Sequence, residues 1–344
     1  MSAAADHVPG ELMAAEIAQQ PEVLAGLVTG ADEIVDAGAR IAATQPRFVL
    51  IAARGTSDNA ALYAKYLTEV RLHLPAGLVS PSALTVYGAT PDMRDVLFVA
   101  ISQSGRSPDL IESLTAARDR GALSVAVTNA PDSPLAHAAE IAVNVRAGGE
   151  RAVAATKSYT AELLALALLF AGEDAARGAA SLPDAAGRTL ALTSDERLAE
   201  LAERFRSTER IVLTARGYSY PTAREAALKL METSYLSAHA FSGADLLHGP
   251  LAMIDRSVPV IAITSPGNGG DAMRSVLERL DELDTPVLRV GMEDGLPIAA
   301  EGIAEYLLPI LEILPLQRLA WRLALDRRLD PDCPRGLSKV TQTH

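Results

Sequence analysis

The chain has 344 residues, with 49% hydrophobic and 22% charged side chains, which is enough to bury two cores of ordinary domain size. Its net charge is −12 and it has no run of Lys or Arg, so binding to nucleic acid through phosphate neutralisation is not expected. The single cysteine, Cys333, excludes an internal disulfide framework and a cysteine-based zinc site.

Residues 1–30 are predicted to form an acidic helical segment, and they lack the basic and apolar regions of a signal peptide. Six short apolar runs follow, separated by longer segments of helical character. Such alternation is typical of parallel sheets covered by helices on both faces. We therefore predict an α/β protein with doubly wound, flavodoxin-like sheets. The predicted strands are 48–53, 96–101, 123–127, 211–215, 258–263 and 286–290.

The longest apolar run, residues 163–172, has about half the length that a helix needs to cross a bilayer. We predict a buried helix at this position. Because this run is too short to span a bilayer and no signal peptide is recognised, we expect a cytoplasmic protein that does not bind membranes.

The two halves of the chain repeat one pattern at an offset of 162 residues. The tripeptide "ARG" at 53–55 recurs at 215–217, and "VAIS" at 99–102 aligns with "IAIT" 162 residues later. The following turns differ, because "SQSGRS" at 102–107 has three serines where the second copy has "TSPGNG" at 264–269. Duplication of one α/β unit explains the repeat, and the first copy kept the closely spaced hydroxyls.

The repeat divides the chain into two predicted domains, residues 31–175 and 195–330. Their boundary is expected near the stretch 171–187, which is rich in Ala, Gly and acidic residues. Residues 331–344 form a tail that is too polar for a core element, and by composition alone it would be a frayed terminus.

The serine-rich turn between a predicted strand and helix is a candidate phosphate site. Backbone N–H groups at a helix start have no intrahelical partner, and the helix dipole adds positive charge there. A second polar turn, "ARGTSDN" at 53–59, follows the neighbouring strand. The alternative is plain helix capping by "SPD" at 107–109. The sequence has no Walker A motif, so nucleoside triphosphate chemistry is not expected.

Several motifs, in order along the chain, resemble the SIS (sugar isomerase) domain pair. They are "RGTS", "SQSGRS" and "AATKSYT" in the first half, and "AREAALKLMETSY", "LLHGP" and "PRGLSKVT" in the second. The resemblance covers residues 12–344. It is to the isomerase half of glucosamine-6-phosphate synthase and to stand-alone type II glucosamine-6-phosphate deaminases. It implies two tandem SIS domains, the first binding phosphate and the second carrying the base.

The resemblance implies roles for individual residues. Glu232 matches the base that moves a proton between C1 and C2, Lys229 matches a lysine of the same site, and Glu225 the acidic residue before it. His248 matches a histidine that opens the sugar ring and comes from the neighbouring subunit, which implies a homodimer. Lys339 matches a lysine of the tail that closes over the sugar. The implied substrate-binding residues are Gly55, Thr56, Ser57, Ser102, Gln103, Ser104, Ser107, Val153, Ala155 and Ser338.

The residues themselves are compatible with this chemistry. Glu225, Lys229 and Glu232 are spaced i, i+4 and i+7 and so fall on one helix face. A carboxylate beside an ammonium is a plausible proton-transfer pair, because the cation stabilises an enediolate. The alternative is an exposed salt-bridge face without a catalytic role.

The chain departs from the synthase in three places. Arg54 stands where the synthase has a Cys, and Ala155 stands where it has a Ser that contacts the sugar. The only cysteine is Cys333, so we expect no glutaminase domain with its N-terminal Cys nucleophile.

The most favoured function is a glucosamine-6-phosphate deaminase/isomerase that forms fructose 6-phosphate and ammonia by deprotonation at C2. An alternative is a dehydratase that eliminates the C3 hydroxyl of N-acetylglucosamine 6-phosphate, for which Ala155 leaves room for an acyl group. Lesser alternatives are a fructosamine-6-phosphate deglycase and a non-catalytic sugar-phosphate sensor. The acidic N-terminal segment lacks the basic face that a DNA-binding sensor needs. No cofactor is implied, and the scattered histidines suggest no metal site.

Overall fold

The computed structural model describes residues 8–89 and 91–339. The ends of the predicted N-terminal segment and tail, 1–7 and 340–344, lie outside the described residues. Each half of the chain folds around its own parallel sheet, which confirms the predicted pair of α/β units.

Five parallel strands form the first sheet. They are β1 (Phe48–Ala52), β2 (Ala76–Leu78), β3 (Val96–Ser102), β4 (Leu123–Thr128) and β5 (Ile141–Asn144). Their order is β2-β1-β3-β4-β5, the flavodoxin-like order, in which the chain changes direction across the sheet between β1 and β3. Ala52 pairs with Ala100, so the carboxyl ends of β1 and β3 lie side by side.

The second sheet repeats this order with four parallel strands. They are β6 (Arg210–Ala215), β7 (Ser237–Ser242), β8 (Val260–Ile263) and β9 (Val287–Val290). The order β7-β6-β8-β9 matches that of the first four strands of the first sheet, which agrees with the duplication inferred from the sequence.

Helices cover both sheets. In the first half they are α1 (Glu11–Ala18), α2 (Gln20–Thr29), α3 (Ala31–Ala43), α4 (Thr56–Leu67) with a π-helical turn (Thr68–Leu72), α5 (Pro81–Thr85), α6 (Pro108–Asp119), α7 (Pro134–Ala138) and α8 (Lys157–Gly178). In the second half they are α9 (Leu182–Leu192), α10 (Asp195–Phe205), α11 (Tyr220–Ser234), α12 (Gly243–Leu247), α13 (Asn268–Asp271), α14 (Arg274–Glu282) and α15 (Leu308–Asp326), with 3₁₀ turns at Gly217–Ser219, Pro250–Met253 and Glu305–Leu307.

The two halves share one continuous apolar core. Helices α4 and α8 of the first half and α11 and α15 of the second pack against one another within it. The predicted buried helix is the middle of α8, where residues 163–168 have no exposed surface. No helix in the described part of the chain combines the length and apolarity of a bilayer span.

The stretch 171–187, at which we expected the domain boundary, is mostly helical. It contains the end of α8 and the start of α9, and α8 is interrupted at Gly172, whose φ is +56°. The helices on either side continue into the shared core, so the two halves are packed together at this point.

Candidate active site

Two polar turns lie side by side at the carboxyl end of the first sheet. One follows β1 and leads into α4 at Thr56; the other follows β3 and leads into α6 at Pro108. Gly55 precedes α4 with φ +58° and ψ −130°, a conformation suited to a glycine. The amide groups at the starts of two helices therefore converge on one crevice, which we call the candidate phosphate crevice.

The serine-rich turn is held in one shape by its own hydroxyls and by β4. Ser102 Oγ accepts a hydrogen bond from the Gly105 amide at 3.1 Å, and Ser104 Oγ accepts one from the Arg106 amide at 3.3 Å. The carbonyl of Gln103 accepts from the Asn129 amide at 3.2 Å. Ser107 lies in extended conformation immediately before α6. Ser102, Gln103, Ser104 and Ser107 therefore lie on one fixed turn.

Arg54 and Asp109 connect the two turns. The Arg54 guanidinium lies 2.8 Å from Asp109 Oδ2 through both Nε and a terminal nitrogen, and Asp109 is almost completely buried. Arg54, which departs from the synthase pattern, thus places a half-exposed guanidinium, paired with Asp109, at the edge of the candidate phosphate crevice.

The three charged residues of α11 form one cluster. Lys229 Nζ lies 3.3 Å from Glu225 Oε1 and 2.6 Å from Glu232 Oε2, the second an ion pair whose angles fall outside those of a hydrogen bond. The side chains of Glu225 and Lys229 are at most 1% exposed, whereas that of Glu232 is 21% exposed. The cluster is therefore not a solvated salt-bridge face, and Glu232 is its member open to a ligand.

The cluster is joined directly to the turn after β1 in the first half. Thr56 Oγ1 donates to Glu225 Oε1 and accepts from Lys229 Nζ, both at 3.0 Å. Asn59, one turn further along α4, donates to Glu225 Oε2 at 2.8 Å. Thr56 thus contacts both Glu225 and Lys229 through its hydroxyl, while its backbone lies at the candidate phosphate crevice.

Burial and charge set the protonation of this cluster. The pKa of Glu225 is raised to about 6, chiefly because the carboxyl is buried; Lys229 opposes the shift and the Glu232 carboxylate adds to it. Burial alone would lower the pKa of Lys229, but the two carboxylates outweigh burial and raise it above its ordinary value. Lys229 is therefore a permanent cation beside Glu232 at neutral pH.

Beneath the same crevice, Ser57 Oγ donates at 2.8 Å to Glu162, a fully buried carboxyl on α8. Burial raises the pKa of Glu162 to about 8, with a smaller contribution in the same direction from Glu150 and Glu225. Glu162 is therefore largely a neutral acid at pH 7, which keeps a negative charge away from the candidate phosphate crevice.

The tail and the loop before α8 contact each other. Lys339 Nζ lies 2.9 Å from Glu150 Oε2 and 2.7 Å from the Ala152 carbonyl. The Val153 amide donates to the Asp332 carbonyl at 3.2 Å. Ala155 lies half-buried on the same loop, and Ser338 is exposed beside Lys339.

His248 directly follows α12 and is exposed. Within the described residues, its side chain makes no hydrogen bond to Glu225 or Glu232. Within one chain, the structure thus brings Glu225, Lys229, Glu232 and Thr56 together, whereas Lys339 contacts the loop at Glu150 and Ala152 and His248 lies on the surface.

Four residues of this arrangement were not identified from the sequence. Asn59 and Asp109 each lie within four residues of a motif position, and this closeness in sequence could have identified them as neighbours of the two turns. Glu150 and Glu162 are buried carboxylates in otherwise apolar or small-residue surroundings, and a buried carboxylate requires a partner. Their partners, Lys339 and Ser57, are distant in sequence and become evident through the fold.

The corresponding turn of the second half is closed by the chain itself. Glu305 Oε1 accepts a hydrogen bond from the Gly269 amide at 2.7 Å, and a Cβ added to Gly267 would lie 2.5 Å from the Glu305 carboxyl carbon. A carboxylate of the protein thus occupies the position at which an anion would meet this turn, which leaves the first turn as the candidate phosphate site.

Comparison with known proteins identifies the family of the chain. The model of the SIS domain matches residues 44–172 and 204–306. A glutamine–fructose-6-phosphate aminotransferase (isomerizing) from Pyrobaculum aerophilum is 35% identical over 344 residues, which is 95% of this chain and 57% of that protein. The chain thus spans little more than half the length of this curated relative.

Solved structures share the fold. The C-terminal domain of glucosamine-fructose-6-phosphate aminotransferase from Francisella tularensis superposes with a TM-score of 0.82 at 27% identity, covering 97% of this chain and 100% of that one. A glucosamine-6-phosphate deaminase from Thermotoga maritima gives a TM-score of 0.73 at 20% identity, covering 93% and 100%. At that identity the second likeness concerns the fold alone.

Proposed function

The chain belongs to the SIS domain family, and from that membership we propose that it is an enzyme that moves a proton between C1 and C2 of an open-chain hexosamine 6-phosphate. The observation that carries the proposal is the position of Thr56. Its backbone starts the helix at the phosphate crevice, and its hydroxyl contacts both Glu225 and Lys229 at 3.0 Å. One residue therefore sets the distance between the phosphate end and the reacting end of a bound sugar.

We assign the base to Glu232. Its side chain is partly exposed while its ion-pair partner Lys229 is buried. Glu232 can therefore contact a ligand while Lys229 lies on the interior side of the carboxylate. The carboxylate removes the C2 proton and returns it to C1, and the Lys229 cation stabilises the negative charge that develops on the enediolate or enolamine. Glu225 keeps Lys229 in place through its contacts with Thr56 and Asn59.

The favoured reaction is the interconversion of glucosamine 6-phosphate and fructose 6-phosphate with free ammonia. Proton transfer from C2 to C1 of the amino aldose gives the C2 imine of the ketose, and water hydrolyses that imine with release of ammonia. This chemistry needs the base and the cation but no glutamine.

The second candidate is elimination of the C3 hydroxyl from N-acetylglucosamine 6-phosphate. Here the acyl group keeps the nitrogen in place, and loss of the C2 proton expels the C3 oxygen as water to give an unsaturated sugar. Its support is Ala155, a small half-buried residue on the loop that carries the Lys339 contacts. The same base serves both reactions.

We further propose that two copies of the chain complete each site. His248 is exposed and is not joined to the cluster on α11 within its own chain, so a ring-opening role would be exercised in the site of a neighbouring subunit. Lys339, together with Ser338, would meet the sugar from the tail.

The test offers the purified protein three substrates in parallel: glucosamine 6-phosphate, fructose 6-phosphate with ammonium, and N-acetylglucosamine 6-phosphate. Ammonia release and ketose formation report the first reaction, and a new ultraviolet absorbance reports the unsaturated sugar. Glu232→Gln is expected to lose each activity by about a hundredfold or more, the range of general-base catalysis. A Glu232→Gln protein with full activity would remove the base, and a wild-type protein inactive on all three would remove the proposed function.

A further inference from the structure

We propose that Glu150 is a positioning residue that fixes the tail lysine, Lys339, over the loop before α8. The proposal rests on the proposed function in one respect, namely that Lys339 acts on the sugar. The contact between the two side chains can be tested without any substrate.

Glu150 is saturated with donors from the start of α8. Its side chain has no exposed surface. Oε1 accepts from the Thr156 amide at 2.9 Å and from the Ser158 amide at 3.0 Å, and Oε2 accepts from Ser158 Oγ at 2.7 Å. Lys339 Nζ completes the set at 2.9 Å from Oε2. The carboxylate is therefore held rigidly by α8 before it meets the tail.

Lys339 is held by a second acceptor on the same loop. Its ammonium donates to the Ala152 carbonyl at 2.7 Å, and the side chain remains 25% exposed. An ammonium has three N–H donors. One N–H is donated to Glu150 and one to the Ala152 carbonyl, and these two bonds fix the direction of the third. The third N–H is then available to a ligand on the exposed side.

Contacts with α1 hold this loop and the tail in fixed positions relative to each other. The Asp332 carboxylate accepts from the Leu12 and Met13 amides at 3.0 and 2.8 Å, so the start of α1 holds the tail. Glu16, also on α1, accepts from the Ala152 amide at 3.3 Å and so holds the loop. One helix thus fixes both partners of the Glu150–Lys339 pair.

The tail is also fixed to the end of the base helix. The Arg335 amide donates to the Tyr235 hydroxyl at 2.9 Å, and its guanidinium lies 4.4 Å from the centroid of the Tyr235 ring. Tyr235 directly follows α11 with φ +54°. The position of Lys339 is therefore set relative to the loop by Glu150 and relative to Glu232 by this contact.

Electrostatics explains why Glu150 and Lys339 stay in contact. A buried carboxylate that loses its cation is strongly destabilising, whereas an exposed lysine is not. Burial would raise the pKa of Glu150, but Lys339 and the α8 donors outweigh burial and hold it below its ordinary value. Glu150 is therefore charged at neutral pH and keeps the tail lysine docked.

Amine labelling tests the contact. The sequence has four lysines, Lys65, Lys157, Lys229 and Lys339, so acetylation by an N-hydroxysuccinimide ester can be followed at each one by peptide mass spectrometry. Lys65 is the internal reference, because its 31% exposure is close to the 25% of Lys339. In Glu150→Gln the rate at Lys339 relative to Lys65 is expected to rise at least about threefold. Glu200→Gln, which removes an exposed carboxylate beside Arg197, is the matched control and should leave the ratio unchanged.

Kinetics separate positioning from mere stabilisation of the loop. On the substrate that the wild-type protein accepts, Glu150→Gln is expected to lower kcat about tenfold to a hundredfold, because a displacement of about 1 Å at a reacting group costs that much. KM should change less than about threefold. In a Lys339→Met background, Glu150→Gln should lower kcat no further, because the group it positions is gone.

The outcomes are distinct. Unchanged labelling of Lys339 in Glu150→Gln overturns the contact, and independent, multiplied losses in the double variant overturn positioning in favour of a structural role. If Glu150→Gln fails to fold, Glu150→Asp keeps the charge with a shorter side chain and should raise Lys339 labelling while remaining folded; unchanged labelling there overturns the proposal. A wild-type protein inactive on every hexosamine phosphate would refute the proposed function and with it the role of Lys339 on the sugar, whereas labelling would still decide whether Glu150 holds Lys339.

Discussion

The hydroxyl of Thr56 lies 3.0 Å from both Glu225 Oε1 and Lys229 Nζ, so a residue of the first half fixes the charged pair of the second. This link crosses the duplication. It places the turn that would hold phosphate and the helix that carries the base on one rigid unit. A sugar held by its phosphate would therefore meet Glu232 at a distance set by covalent geometry and two hydrogen bonds.

Thr56→Val tests this link. Valine keeps the shape of threonine but removes the hydroxyl, so Glu225 loses one donor and Lys229 one acceptor in a buried site. The expected loss of unfolding free energy is about 1–3 kcal/mol, the usual cost of unsatisfied buried polar groups. We also expect kcat to fall at least about tenfold, because Lys229 is no longer fixed behind Glu232.

Urea denaturation and steady-state kinetics measure the two effects of Thr56→Val. Thr56→Ser is the control, since it keeps the hydroxyl and should retain most of the activity. A Thr56→Val protein with wild-type stability and kcat would show that the hydroxyl contacts contribute nothing.

The fold was largely predictable from the sequence, but three of the four edge strands in the two described sheets, β2, β5 and β7, were not predicted. Internal strands such as β3 and β8 are continuous apolar runs because both faces are buried. The edge strands that were missed lack that signal: β2, for example, has three residues, and β7 reads "SAHAFS" with exposed positions. The duplication could be recognised because the turns after β1 and β6 keep the same tripeptide.

The site was predictable where its residues lie close together in the chain and not where the fold joins distant ones. The spacing of Glu225, Lys229 and Glu232 placed them on one helix face. Whether that face is an exposed row of salt bridges or a buried cluster depends on the burial of these side chains, which only the structure reveals. Thr56 and Glu225 are 169 residues apart, and Glu150 and Lys339 are 189 apart. Single-sequence patterns contain no information about such pairs.

The serine-rich turn depends on a glycine at its centre. Gly105 has φ +61°, and a Cβ added there would lie 2.0 Å from Ser133 Oγ and 2.5 Å from Ser133 Cβ. Gly105→Ala is therefore expected to displace the turn, to raise KM for the phosphorylated sugar about tenfold or more, and to destabilise the protein by more than the roughly 1–2 kcal/mol of a left-handed alanine.

Two variants separate the causes of the Gly105→Ala effect. Gly302→Ala has a similar φ, +73°, with no atom within 4 Å of the added Cβ, so it measures the backbone cost alone. Adding Ser133→Gly to Gly105→Ala removes the clash and should restore part of the affinity. Equal stability losses and no change of KM in either glycine variant would contradict a role for the turn in binding phosphate.

Glu162, the buried acid beneath the candidate phosphate crevice, predicts a pH dependence of stability. The pKa of Glu162 is about 8 in the folded protein, against an ordinary value of 4.5. An acid whose pKa is raised on folding binds its proton more tightly in the folded state, so stability falls as pH rises between these two values. Burial raises the pKa of Glu312 to about 7 and that of Glu225 to about 6, so they act in the same direction over narrower ranges.

Glu162→Gln isolates this contribution. The amide keeps an oxygen for Ser57 Oγ but cannot ionise, so the free energy of unfolding should fall less between pH 5.5 and pH 8 than in the wild type, by about 1–3 kcal/mol. Urea titrations at several pH values measure the difference. Parallel curves for the two proteins would show that Glu162 does not titrate in this range, and Glu200→Gln should give a curve parallel to that of the wild type.

A shared site predicts complementation between two inactive variants. If His248 acts in the neighbouring subunit's site, mixing Glu232→Gln with His248→Ala subunits creates heterodimers in which one site has both lesions and the other has none. With random exchange, about half of the dimers are mixed, so about a quarter of all sites regain wild-type composition. Activity near that fraction after co-refolding, with each parent almost inactive, would support the shared site. If both groups come from one chain, every site keeps one lesion, and the mixture should be no more active than its parents.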